Sequence, residues 1–252
     1  MSKVYLFFPI RFASVFVLGA TLLPALYAQQ PSTNSPPVPA PVSSAAPPKA
    51  ATPTIQSNEH LSLAEQKSSK GDVAGAFAEA ETALKLDPQN GNAYLVRGSF
   101  HAQKKEWADA ARDYEMARGL TPAIANLVKF DLSELKFMQK DYDGARPGFV
   151  DLQSDKDIGD LAAYKVFLCD LLGHHEDVAT KELAAFDQVG GNPSYYFANA
   201  SWDLLHQKTE DARSWFLSAF RIYADNPQKL TNYSASLKNL GYLPLPPKPE
   251  DQ

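Results

Sequence analysis

The densest group of titratable side chains is His174-His175-Glu176. Two ligands for a metal on one helix face must lie three or four residues apart, and adjacent histidines point in different directions. The run is therefore expected in a solvated turn. His60, His101 and His206 stand alone in the sequence, and His101 is expected to pack against a neighbouring helix. Cys169 is the single cysteine, which leaves no intramolecular disulfide. It sits in the apolar run 166–172, where a thiol behaves as a small buried hydrophobe. The chain has no zinc-type Cys/His spacing, no Gly-x-Ser-x-Gly elbow and no Gly-x-x-x-x-Gly-Lys phosphate loop. Gly190-Gly191 reads as a break between helices. No catalytic, cofactor-binding or metal-binding residue is assigned, and a non-enzymatic role is expected. The competing reading is an enzyme whose site is assembled from Tyr164, His174, His175 and His206.

Charge narrows the partners. The 252 residues carry 24 Lys and Arg against 29 Asp and Glu, a formal net charge of −5. The basic residues are scattered, so the electrostatic footprint for nucleic acid is missing. Lys3 and Arg11 are the only charges in the first 48 residues. They precede an apolar run, Phe12–Leu23, that ends in Pro24-Ala25-Leu26-Tyr27-Ala28 before Gln29-Gln30. A basic start, an apolar middle and a small residue at the cut are the layout of a secretory signal peptide, here 1–28. Cleavage would remove both bases and take the charge from −5 to −7. An uncleaved membrane anchor is the alternative, since 12–28 is at the short limit for spanning a bilayer. Either way the rest of the chain is expected outside the cytoplasm, periplasmic or extracellular, touching a membrane only through an uncleaved start. Residues 29–57 are rich in Pro, Ala and Ser and read as a disordered, extended linker.

Beyond the linker the sequence is periodic. Small residues recur at Ala76, Ala110, Ala145, Ala179 and Ala212, with spacings of 34, 35, 34 and 33. Seven residues further on stand Ala83, Ala117, Leu152, Phe186 and Ala219. A period near 34 predicts stacked helical hairpins, each unable to bury its apolar face alone. Five hairpins are expected over 58–224. Pro147, near the start of the second helix of the third, predicts a late start or a kink there. Leu230, Tyr233, Leu237 and Leu240 lie three, four and three apart, which predicts an amphipathic last helix within 225–241, stopped by Gly241 and serving as a terminal cap. Residues 242–252 form a proline-rich tail.

The second unit carries the clearest pattern: Tyr94, Gly98, Ala110, Tyr114, Ala117 and the closing Pro122. With the 34-residue period, it resembles the tetratricopeptide repeat. The resemblance is specific over 58–122 and degrades from Asn126 onward, although the period persists. It implies an all-α, right-handed solenoid whose first helices line a concave groove, and hence a protein or peptide partner with no cofactor. The groove positions implied by this likeness are Leu95, Ser99, Ala102 and Gln103, then Phe130, Glu134, Phe137 and Met138. Tyr164, Leu168, Phe197 and Ser201 continue the face in the later units. Leu61, Glu65, Leu95 and Ser99 stand where relatives that clamp an acidic chaperone tail need Lys and Asn, so that ligand is not expected. The expected function is a scaffold or adaptor at the cell envelope, with a purely structural spacer as a further alternative.

Overall fold

The computed structural model describes residues 52–186 and 192–243; the expected leader, the greater part of the linker, the Gly190-Gly191 break and the end of the proline-rich tail lie outside the described residues. Among the described residues there are helices and no strands. They form five consecutive hairpins: α1 (Pro53–Ser69) with α2 (Val73–Leu86), α3 (Gly91–Gln103) with α4 (Trp107–Leu120), α5 (Ala125–Met138) with α6 (Tyr142–Val150), α7 (Gly159–Leu172) with α8 (Glu176–Ala185), and α9 (Pro193–Leu205) with α10 (Thr209–Ile222). A last helix, α11 (Gln228–Asn239), follows. The first helix starts earlier than expected, inside the proline-rich stretch. Pro53 occupies its first turn, where a missing N–H costs nothing, and the Thr52 side chain accepts the Ile55 N–H as a cap.

The period is visible in the backbone. Gly71, Lys105, Lys140, His174 and Gln207 all have φ between 61° and 81°, the left-handed conformation that turns each first helix into its second. These positions repeat with the spacing of the small residues. Asp72 and Asp141 then cap α2 and α6 by accepting the N–H of Gly75 and Gly144, at 2.9 and 3.0 Å. Ala76, Ala110, Ala145, Ala179 and Ala212 are fully buried at the hairpin contacts. Gly98 belongs to the same device: a Cβ there would sit 2.8 Å from the Tyr114 ring.

Pro147 does not give its helix a late start. Helix α6 starts at Tyr142, directly after its turn, and runs only nine residues with Pro147 inside it. The helix is cut short at its far end rather than delayed. Its loss of length is offset by an aromatic cluster in which Phe149 packs edge-on against Phe130 and Phe137, with ring centroids 5.1 and 6.5 Å apart.

Helix α11 is the terminal helix of the array. It packs on α9 and α7, the first helices of the last two hairpins. Register explains this. Lys229, Asn232 and Ser236 fall where α3 has Ala93, Val96 and Phe100, the apolar residues that share a core cluster with Leu84 of the preceding hairpin. A polar triplet cannot fill that interface. The α10 counterpart of Leu84, Phe220, is accordingly 51 % exposed, whereas Leu84 is 8 % exposed.

Lys140 and Gln207 hold a left-handed conformation that costs a side-chain-bearing residue about 1 kcal/mol relative to glycine. Lys140→Gly and Gln207→Gly should each raise the unfolding midpoint by roughly 2–4 °C, measured by thermal denaturation at fixed pH.

Candidate functional site

The first helices of the second, third and fourth hairpins and α11 enclose a cleft of about 80 Å³. Leu95 and Val96 of α3, Phe130 of α5 and Leu161 of α7 give it apolar walls. Ser99, Asp131, Asn232 and Asn239 place polar groups around it. Its charged element is a buried pair: Lys165 of α7 donates to Glu134 of α5, with Nζ 2.7 Å from Oε1 and 2.6 Å from Oε2. The ammonium also lies 4.3 Å from the Phe137 ring centre, a cation–π contact that compensates part of its desolvation. The pair fixes two neighbouring hairpins to one another.

The sequence-derived groove residues divide sharply. Leu95, Ser99, Phe130 and Glu134 line the cleft together. Gln103 and Met138 are half-buried near the ends of α3 and α5 and do not line it. Ala102 and Phe137 are core residues; Phe137 packs on Tyr142 and Phe149 of its own hairpin. Tyr164, Leu168, Phe197 and Ser201 are also fully enclosed and not exposed groove positions. Over Tyr164 and Phe197 the cover is α11, which lays Tyr233 against them, with ring centroids 5.3 and 5.6 Å apart. The Ser201 hydroxyl donates to the Phe197 carbonyl at 2.6 Å and receives the Tyr164 hydroxyl at 3.0 Å. Asn232 and Asn239, which complete the cleft, were not candidates. Only their place on the polar side of the α11 stripe could have marked them.

Three of the four residues of the competing enzyme reading have separate partners. Tyr164 is held by Ser201, and burial pushes its hydroxyl well above the usual tyrosine range. His174 forms its exposed turn, as expected. His175 lies 3.2 Å from Asp170, and His206 lies 2.6 Å from Glu176 while stacking on Trp202. Cys169 is buried, and desolvation pushes its thiol up to about 12, so it is not a thiolate at neutral pH. His101, Glu106 and Asp109 bring three ligand-type atoms within 4.8 Å of one another at the turn between α3 and α4. Nδ1 of His101 there lies 2.6 Å from Glu106, and its ring meets Phe77 edge-on, so the residue is packed as well as paired.

A second charged network ties α6, α7 and α8. Arg146 donates through Nε to both oxygens of buried Asp170, at 2.9 and 2.8 Å, and through its terminal nitrogen to Glu182 at 3.1 Å. Burial, then the neighbouring Asp170, raise the Glu182 carboxyl to about 7, with Arg146 opposing them.

With this geometry in view, comparison with known proteins is informative about architecture. No protein-family model matches the chain. The structure of PilW, a type IV pilus biogenesis factor, superposes with a TM-score of 0.52 at 21% identity, over 74% of this chain and 87% of that one. PilF of Pseudomonas aeruginosa gives 0.52 at 15% identity, over 73% and 91%. The chain has the tetratricopeptide-repeat fold. In sequence, it is 27% identical over 109 residues to a DnaJ homolog subfamily C member 7 homolog of Dictyostelium discoideum. The match covers 42% of this chain and 19% of that relative. No helix among the described residues of this tetratricopeptide array is long and apolar enough to cross a membrane.

Two substitutions test these networks. Lys165→Met should cost about 3–5 kcal/mol in denaturant unfolding, because it strands a buried carboxylate, and adding Glu134→Leu should recover much of the loss. For Glu182, the raised folded value means that its ionisation costs nothing below about 4.5, the unfolded value, and the full penalty is present above about 7. Glu182→Gln should therefore gain stability over the wild type as pH rises from about 5 to 8; a gap that does not change with pH would show that the carboxyl ionises as it does in water.

Proposed function

We propose that this chain is a protein-interaction scaffold acting at the cell envelope. It receives a segment of a partner protein on the concave side of its hairpin array. The observation that carries this reading is the cleft at Leu95, Ser99, Phe130 and Glu134. Stacking of hairpins places first helices from three units around one apolar site. No single unit contributes enough surface to form it. Apolar walls with a few fixed polar groups are the composition of sites that take an apolar side chain and orient its backbone. The resident Lys165–Glu134 pair leaves no free buried charge at that pair, so an apolar anchor fits better than a charged one.

Envelope placement is supported by the residues before the fold. The basic, apolar and small-residue pattern of 1–28 is that of an export signal, cleaved or retained as an anchor, and 29–51 supplies a proline-rich spacer. The pilus biogenesis factor with the same fold offers a precedent for an array of this kind in assembly of a surface structure. The partner is a protein or peptide, and the reading needs no cofactor.

The full chain, crosslinked in envelope extract at low salt without detergent, should retain at least one protein that Leu95→Glu loses while its circular dichroism spectrum stays unchanged. An identical set of proteins from both chains would show that the cleft is not the site and would favour the spacer.

A further inference from the structure

Helix α11 lies on the face through which α7 and α9 would meet a ligand. Leu230, Tyr233 and Leu237, at i, i+3 and i+7, are all buried there. The Tyr233 hydroxyl donates to Asn192 Oδ1 at 3.2 Å. Yet the approach to α11 is open. The connection 224–227 is exposed, the helix start has no side-chain cap, and α10 keeps its outer apolar residues Leu217, Phe220 and Ile222 exposed. Departure of α11 would uncover Tyr164 and Phe197 and leave the hairpin contacts in place. Those rings would stand in water unless something of similar chemistry replaced Tyr233.

What fits is given by what is seated. We propose that the α7/α9 face is a binding site for an amphipathic helix of a partner protein, and that α11 is its resident occupant, displaced when such a helix binds. The partner helix carries apolar residues at i and i+7 with an aromatic at i+3. It carries a basic residue just before the first anchor, because Lys229 shares a cleft with Asp157 and Asp160 at the start of α7. A helix is required rather than an extended strand, since anchors three and four residues apart share a face only in a helix. This inference rests on the scaffold reading and names the chemistry of its ligand.

The probe is a labelled peptide copying residues 226–241, titrated by fluorescence anisotropy against the full chain. Wild type, with its own helix in place, should bind at least about tenfold more weakly than Leu237→Ala, because the competent state is a minor one while α11 is docked. The same peptide with its tyrosine changed to alanine should lose that binding. Hydrogen exchange should show the α11 amides of the wild type opening before those of α7 and α9. Equal affinity for wild type and variant, or no binding to the variant, overturns the site. Exchange of α11 only together with α7 and α9 overturns its role as a displaceable occupant. Partner recovery that fails while the peptide binds would sink the scaffold reading and not the helix site.

Discussion

Two helices can pair along their length only if their backbones come close, and here that approach is permitted by one alanine per hairpin. Ala76, Ala110, Ala145, Ala179 and Ala212 are without solvent contact. A larger side chain at any of them would push the pair apart, and a small rotation at one contact would be carried through the hairpins beyond it. The dispersion contacts made at this separation are individually weak and collectively large. Everything else in the molecule is arranged around that distance: turns of fixed hand, aromatic rings beside the small residues, and polar pairs that lock one hairpin to the next.

The polar pairs divide the work. Arg97 and Asp113 form two parallel 2.7 Å hydrogen bonds within the second hairpin. Lys165 and Glu134 join the third hairpin to the fourth, and Arg146 holds Asp170 and Glu182 across the same region. Such groups are costly to desolvate, and apolar replacements of similar volume often stabilise more. Their contribution is orientation: an apolar contact tolerates sliding, whereas a paired carboxylate does not. The third hairpin, with its shortened α6, is where that constraint is most needed.

Much of this was legible from spacing alone. The period, the five hairpins, the turn at His174 and the burial of Cys169 follow from residue types at fixed intervals, because each hairpin meets the same local demands. The destination of α11 was not. Its apolar stripe shows that one face must be buried, but not against what, since a stripe has no address. The missing information lay in the other face, where Lys229, Asn232 and Ser236 stand in register with apolar residues of inner units. That mismatch also accounts for the groove residues. Tyr164 and Phe197 belong to first helices, as the likeness implied, yet Tyr233 of α11 covers them. Phe137 was misjudged for a different reason: in a short hairpin its ring is needed by Tyr142 and Phe149.

Among the described residues, α11 leaves the outer side of α10 without a polar lid. Leu217, Phe220 and Ile222 remain on the outside of α10, among Glu210, Asp211, Arg213 and Arg221. Keeping such an end dispersed falls to electrostatic repulsion between molecules rather than to a hydrophilic surface at the end itself. That repulsion vanishes near the isoelectric point, about 5.5 for this chain. The colloidal behaviour of the protein is thus tied to acidity through an end where the repeat runs out.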